Sequence, residues 1–558
     1  MKDHYTILVA MFACLGTFLY GFDTGIATTT IAHSSFVEYM NNPSNAIIGS
    51  VVATYIAGEA VGAIMQILIA DKLGRLRFMQ LQCIIVSLGC AIQTGAVNVG
   101  MFLGGRIIAG IAVGALSGTV PVYLSEISPP KIRGLIGGLN GVGLAFGTMT
   151  SNWVGFAGGF APYGQAQWRV PLGLQIPWGI VLFTGLITFM PNSPRQLIQR
   201  GRVEEARHEF TRIRSDLQSH LVQEEFGLMK AQIEFEMHRE IPTFKEIWKT
   251  YRRRVLVSVS VQILTSVTGV NVVQPNSIIK RPYRSLGIDS KTILALAAVW
   301  GTCAFLATTV SVLILPDRWG RRKMLLAGVA WVIVVEIYCS VMQRSFQNTD
   351  NRIGKGFAIL GIYLFAVGYY SLINPVTWIY GAEVLPISIR SKIMGVAAAA
   401  HYIVNVGVTQ AGPSAFATIH ENYYYVFVGC CSVFSVIIYL YYPETKQKTL
   451  EEIAAAFGDR VVEIEDHQAA NMMAGTEVKG DVSLEHLEMD AKHSSKVYFD
   501  TQECFVFVGV QNVTGSPLAP RRRSKGLISF RLDSVGMAVA TLKDAKLYRK
   551  FADVVMIR

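Results

Sequence analysis

Four carboxylates and four arginines recur in a pattern suited to opening and closing a passage by exchanging ion pairs. Asp71-Lys-Leu-Gly-Arg75 is echoed by Asp317-Arg-Trp-Gly-Arg321. Tyr123-x-x-Glu126 is followed seven residues later by Arg133, and Tyr380-x-x-Glu383 by Arg390 at the same interval. Partly buried charge pairs of this kind can form in one conformation and break in another. Cross-pairing of Glu126 with Arg390 and of Glu383 with Arg133 would latch two related halves together. A second set of charges, Asp23, Glu59, Arg106 and Glu336, lies inside apolar runs. An ionisable group at bilayer depth is costly, so it faces a cavity or a partner. Burial and a nearby arginine act on a carboxyl in opposite senses, so a partner that comes and goes lets it take up and release a proton. We find no nucleophile–base pairing and no phosphate-binding loop, so the reading is not that of an enzyme. The eight cysteines show no CxxC or Cys/His ligand spacing, which argues against a metal site or disulfide framework.

The elements that must position these charges are membrane helices. Of the 558 residues 51% are hydrophobic and only 16% charged, against about 25% charged in ordinary soluble domains; mean hydropathy is +0.38. A span needs about 20 mostly apolar residues. Twelve runs qualify, at 6–30, 46–70, 78–97, 101–125, 134–156, 170–190, 255–278, 292–315, 323–342, 354–380, 391–416 and 422–442. The net charge of +11 sits in short clusters between them, which fits a membrane protein better than a nucleic-acid binder. Lys72, Arg75, Arg77, Lys131 and Arg133 follow the second and fourth runs, 13 Lys/Arg lie in 191–254, and the loops at 31–45, 98–100 and 157–167 carry none. The positive-inside rule then predicts both termini cytoplasmic. The expected organisation is a six-helix bundle over 1–194, a helical cytoplasmic linker over 195–254, a second six-helix bundle over 255–442, and a polar, largely disordered cytoplasmic tail over 443–558, with a basic patch at Arg521, Arg522, Arg523 and Lys525.

Matched six-helix halves are the architecture of transporters that bind near the midplane and rock one half against the other. The motifs that repeat, together with Gly21-Phe-Asp23-x-Gly25, Gly105-Arg106, Pro121-Val-Tyr123, Trp168-Arg169, Pro191-Asn-Ser-Pro194-Arg195, Gly269-Val-Asn271, Pro375-x-x-Trp378-x-Tyr380 and Pro443-Glu-Thr-Lys446, resemble the sugar porter family of the major facilitator superfamily, fungal branch, in family order over roughly residues 5–455. The resemblance implies an all-α membrane protein of twelve transmembrane helices in two pseudo-symmetric six-helix bundles. It implies transport of a sugar or related polyol by alternating access, with no cofactor other than a proton as coupling ion. The expected partners are the sugar, the proton and the lipid bilayer, with no nucleic acid and no second subunit, and the family default location is the plasma membrane. In proton-coupled members the acid and arginine at the positions of Asp23 and Arg106 are linked, whereas the facilitative animal glucose transporters carry an amide at the Asp23 position. Asp23 therefore favours symport.

A sugar offers hydroxyls on a partly apolar ring, which calls for amides, hydroxyls and aromatic faces. The resemblance assigns substrate binding to Gln262, Thr265, Ser266, Asn271, Asn374, Trp378, Tyr402 and Asn405. It also exposes departures. Thr265-Ser266 replaces a Gln-Gln pair, Gly141 (beside Asn140) replaces a fifth-helix glutamine, and His401-Tyr402 replaces an Asn-Trp pair. His401 reads as a satisfied polar core residue rather than a proton site, and Glu59 and Glu336 as packing or cavity-lining acids. Loss of several sugar-gripping amides points away from glucose itself, toward a bulkier solute such as a disaccharide or toward a different polyol or hydroxy acid. The alternatives that stay open are a facilitative sugar uniporter, a quinate- or inositol-type permease, and a non-transporting nutrient sensor. Residues 274–284 carry two prolines and Lys280-Arg281 where the family continues a helix, which reads as an altered outer gate or a mis-joined exon.

Overall fold

In a computed structural model the chain is a bundle of long helices. The structure describes residues 4–458, except 130–131, 215–218, 239–242, 271–289, 347–348 and 350, and in the tail the segments 529–532 and 538–541. Contacts divide the chain into one unit over Met1–Lys479 and a second over Gly480–Arg558. Among the described residues of the second, Ser529–Leu532 pairs antiparallel with Ala538–Thr541, a short strand pair that the sequence reading does not anticipate. The basic patch at 521–525 lies outside the described residues.

The first half contains His4–Ala13 continued by Leu15–Ala32, then Asn45–Leu73, Arg75–Thr94, Val99–Ile127, Arg133–Gly158, and Ala166–Gly173 continued by Ile176–Thr188. The second contains Phe244–Val267, Ser290–Ile314, Arg321–Phe346, then Arg352–Gly368 leading through a π turn to Asn374–Glu383, then Ile387–Thr418 and Tyr423–Tyr441. We number these as spans one to twelve. Among the described residues, ten are long and apolar enough to cross a bilayer. The fifth and seventh fall short of that criterion for stated reasons. The fifth is rich in glycine and buries Asn140, Thr148, Ser151 and Asn152. The seventh begins with Arg252, Arg253 and Arg254, and its continuation past Val270 lies outside the described residues.

Polar side chains fix the span ends. Ser44 caps the second span by accepting from Ile47 N, Asn98 caps the fourth at 2.8 Å from Met101 N, and Asn351 caps the tenth by accepting from Ile353 N and Gly354 N. Such caps satisfy amides that water would otherwise have to reach. Helices Pro194–Gln199, Val203–Ile213 and Ser219–His238 form the linker and bury Leu197, Ile198, Phe210, Phe226 and Ile233 against Ile387 at the start of the eleventh span. The predicted linker boundary shifts here. The helix that begins at Phe244 runs into the seventh span with a kink at Tyr251 (φ −116°, ψ 20°).

Small residues let the second and fourth spans touch backbone to backbone. A Cβ on Gly114 would collide with the backbone of Glu59, and one on Gly62 with the Ile111 carbonyl. Lipid offers no hydrophobic drive for helix association, so close packing of this kind holds spans together.

Candidate functional site

The repeated charge motif is built twice. Each copy starts with a glycine in nearly the same positive-φ conformation, Gly74 at φ 94°, ψ 157° and Gly320 at φ 96°, ψ 157°. A side chain rarely tolerates that region, so glycine is required. The turn swings Arg75 and Arg321 beneath their halves, where both are almost fully buried. Arg75 bridges Asp71 (2.6 Å) and Glu126 (3.0 Å); Arg321 bridges Asp317 (3.3 Å) and Glu383 (3.1 Å). Ser193 Oγ donates to Glu126 Oε2 at 2.5 Å, and Thr445 Oγ1 to Glu383 Oε2 at 2.8 Å. Tyr123 donates to the Pro191 carbonyl at 2.7 Å and Tyr380 to the Pro443 carbonyl at 2.8 Å. The Pro-x-Ser and Pro-x-Thr segments that follow the sixth and twelfth spans are thus equivalent parts of the same device.

Among the described residues, several contacts tie the halves across this end, four of which follow. Glu126 lies 3.9 Å from Arg390 Nη1, which is the first predicted cross-pair. At the second, Arg133 reaches the Lys448 carbonyl (2.8 Å), while Glu383 is held by Arg321 and Thr445. Gln66 Nε2 donates to the Ser391 carbonyl at 3.5 Å. The sequence reading misses the fourth tie. Asp317 accepts from Gly134 N (3.0 Å) and Leu135 N (2.8 Å), capping the fifth span from the opposite half. Burial raises its carboxyl above the ordinary carboxylate value, and Arg321 and the two amides pull it back. A carboxylate at a helix N-terminus is also favoured by the helix dipole.

Deeper in the first half, Asp23 and Arg106 form a buried ion pair at 2.9 Å. Arg106 also donates to the Asp23 and Val51 carbonyls (3.3 and 3.4 Å) and lies 3.9 Å over the Tyr55 ring. The second Asp23 oxygen has no hydrogen-bond partner. Glu59 and Glu336 are equally buried, and one oxygen of Glu59 and both of Glu336 are unpartnered.

The predicted substrate residues converge on the interior of the second half. Gln262 Nε2 donates to the Thr377 carbonyl at 3.3 Å, leaving Oε1 without a partner. Thr265 Oγ1 and Ser266 Oγ lie 2.6 and 2.8 Å from His401 Nδ1, which is also 3.0 Å from the Gln262 carbonyl. The Trp378 ring meets His401 edge-on at 5.6 Å. His401 is therefore satisfied, as expected, and its ring nitrogen meets the two hydroxyls that replace the glutamines, which also donate to the Gln262 and His401 carbonyls at 2.6 and 2.9 Å. Tyr402 is 2.5 Å from Ser117 Oγ on the fourth span, so it joins the halves. Asn405 Oδ1 accepts from Thr409 at 3.2 Å. Asn374 Nδ2 donates across the halves to the Gly141 carbonyl at 3.3 Å. A Cβ on Gly141 would lie 2.9 Å from Asn374 Nδ2 and 3.1 Å from Pro375 Cα, so the tenth span fills the space of the absent glutamine. Asn271 and residues 274–284 lie outside the described residues.

The π turn Tyr369–Ile373 has a sequence cause. Pro375 has no N–H and its ring clashes with the carbonyl four residues back, which opens the helix there. The freed carbonyls are taken by hydroxyls of the eighth span, Thr308 to Tyr370 at 2.9 Å and Ser311 to Ser371.

Comparison with known proteins bears on this arrangement. The model of the family described as "Sugar (and other) transporter" matches residues 9–457. The chain belongs to this family, within the major facilitator superfamily. It is 32% identical over 456 residues to MFS-type transporter criB of Aspergillus cristatus, covering 80% of this chain and 92% of that protein. It is 27% identical to hexose transporter 2 of Kluyveromyces lactis (82% and 83% covered) and 28% identical to a probable quinate permease of Neosartorya fischeri (83% and 89%). Among solved structures it resembles the proton:xylose symporter XylE bound to 6-bromo-6-deoxy-D-glucose, with TM-score 0.70, 22% identity, and coverage of 81% of this chain and 99% of that one. The fold is therefore the twelve-helix major facilitator fold, and the protein is a multi-pass membrane protein whose relatives are transporters, not enzymes.

Proposed function

We propose that this protein is a secondary active transporter that moves a sugar or related polyhydroxylated solute together with a proton. Its motif-bearing end and both termini face the cytoplasm, and it resides in the plasma membrane as a monomer. The observation that carries the reading is the Asp23–Arg106 pair, a fully buried carboxylate held at 2.9 Å by a buried guanidinium. A static pair is expensive to desolvate and adds little stability over apolar residues, so its value lies in being broken. Protonation of Asp23 releases Arg106, and loss of the proton on the other side restores the pair. The latch motifs then alternate between tied and released states, as the two halves rock about the site.

The substrate side is built from hydroxyls and aromatic edges. Thr265, Ser266 and the free Gln262 oxygen offer a smaller set of hydrogen bonds than a pair of amides, with Trp378 as the apolar face. This supports a solute other than glucose, and the similarity to a probable quinate permease keeps a hydroxy acid in view.

The test is labelled-solute uptake in a transporter-deficient yeast, with external pH recorded. Wild type and Asp23→Asn are compared on glucose, xylose, lactose, cellobiose, inositol and quinate. Uptake with alkalinisation, and loss of accumulation in Asp23→Asn, is the expected result. Uptake indifferent to pH and to Asp23 would leave a uniporter, and no uptake by protein that reaches the membrane would favour a sensor.

A further inference from the structure

We propose that Glu59 is a second proton station, which holds a proton while Arg106 is paired with Asp23 and takes over Arg106 as counterion when Asp23 is protonated. The inference rests on the proton-coupled reading above and deepens it.

The argument begins with charge balance. Asp23, Glu59 and Arg106 are all at most 1% exposed. Two carboxylates and one guanidinium would leave one uncompensated negative charge in the membrane interior, which is strongly disfavoured. One proton on the cluster removes it. Geometry decides where that proton sits. Arg106 holds Asp23 at 2.9 Å, whereas no ion pair within 4 Å joins Glu59 to any described residue and its Oε1 has no partner.

Placement then decides what the proton can do. Arg106 Nε bonds the Val51 carbonyl, and its guanidinium covers the ring of Tyr55. Glu59 is one turn further along the same face of the second span, roughly 6 Å beyond Tyr55 on its axis. Close packing of Gly110 and Gly114 against the backbone of Tyr55 and Glu59 holds the fourth span, which carries Arg106, beside this face of the second. In the proposed orientation Glu59 lies on the cytoplasmic side of the Asp23–Arg106 pair.

The groups that face it are few. The first span contributes Tyr20 and Asp23, the second Tyr55, the fourth Arg106, and the eleventh Tyr402. Cys90 of the third span is near Asp23 and Arg106, and His401 of the eleventh is turned to Thr265 and Ser266 of the seventh. Arg106 is the single cation in this set. Tyr402, one of the residues assigned to substrate, lies beside Glu59 and is bonded to Ser117 of the fourth span.

The proton balance closes. At rest Asp23 is ionised, Arg106 cationic and Glu59 protonated, so the cluster is neutral. A proton from outside binds the Asp23 carboxylate and frees Arg106. Glu59 then gives its proton to the inner cavity and becomes the counterion of Arg106. Transfer of the Asp23 proton to Glu59 resets the cluster, with one proton moved per cycle.

Infrared spectroscopy of the purified full-length protein at neutral pH tests this without knowledge of the substrate. Wild type should show the C=O stretch of a protonated, buried carboxylic acid that Glu59→Gln abolishes and Glu336→Gln leaves. In Asp23→Asn the same band should vanish, because Glu59 becomes the only counterion of Arg106. A Glu59 band that persists in Asp23→Asn would overturn the proposal, since a merely buried packing acid would behave that way. With whichever solute the uptake panel identifies, Glu59→Gln should exchange labelled for unlabelled solute but lose proton-driven accumulation, its ratio falling to about one. Wild-type accumulation and pH dependence in Glu59→Gln would equally overturn it. If wild-type uptake ignores the proton gradient, the symport reading fails, and the infrared comparison still decides where the proton of the cluster resides.

Discussion

Replacing Glu126 by Gln should bias the transporter toward opening at its motif-bearing end. Glu126 is held by Arg75 and Ser193 of its own half and by Arg390 of the other. Only the last contact breaks when the halves separate, so only it contributes to the conformational bias. At 3.9 Å two unit charges attract by about 4 kcal/mol at an effective dielectric near 20. Part of this is lost because Arg75 already shares the same oxygen and because Arg390 regains water on opening. A net of about 1–2 kcal/mol remains, roughly a 5- to 30-fold shift in the closed-to-open ratio. Spin labels at Lys72 and Arg318, both exposed within the two repeated motifs, would report this as a distance distribution by electron–electron resonance. The double variant Glu126→Gln/Arg390→Gln should show less than the sum of the single effects, because each single change already removes the pair. Distributions that do not move in Glu126→Gln, or strict additivity in the double variant, would refute the view that this pair is a latch.

Other substitutions probe other ties. Asp317→Asn keeps the side chain but loses charge at the N-terminus of the fifth span, and should weaken the same closed state by about 1 kcal/mol, read with the same label pair. Gly114→Ala places a methyl against the Glu59 backbone and should lower stability by about 1–3 kcal/mol or more, measured as a lower thermal midpoint in detergent. Gly141→Gln, which puts back the family residue, should not restore glucose recognition, because the side chain meets Asn374 and the tenth-span backbone; tighter glucose binding in that variant would contradict the account. His401→Phe should raise the half-saturation concentration of the transported solute more than it lowers stability, since Thr265 and Ser266 lose the ring nitrogen that orients them.

The pairing of Glu126 with Arg390 was legible because two copies of one motif stood in register, the base seven positions after the acid in each. A repeat carries information about geometry that a single motif lacks. The tie from Asp317 to the fifth span was not legible, because its partners are backbone amides and any residue type supplies those. The roles of Ser193 and Thr445 were equally silent, since a hydroxyl near an acid 62 or 67 residues away leaves no local pattern.

Composition and spacing by themselves determined the membrane setting, the two-fold repeat and which charges recur in it, because hydrocarbon demands long apolar helices and tolerates charge only at defined places. They also placed Asp23 and Arg106 at membrane depth. Only the tertiary structure decided that Glu59 stands without an ion pair beside Asp23 and Arg106, that Gly141 is needed by the tenth span, and that His401 meets the Thr265 and Ser266 hydroxyls. These are contacts between distant segments, settled by how the packed helices present their faces to one another.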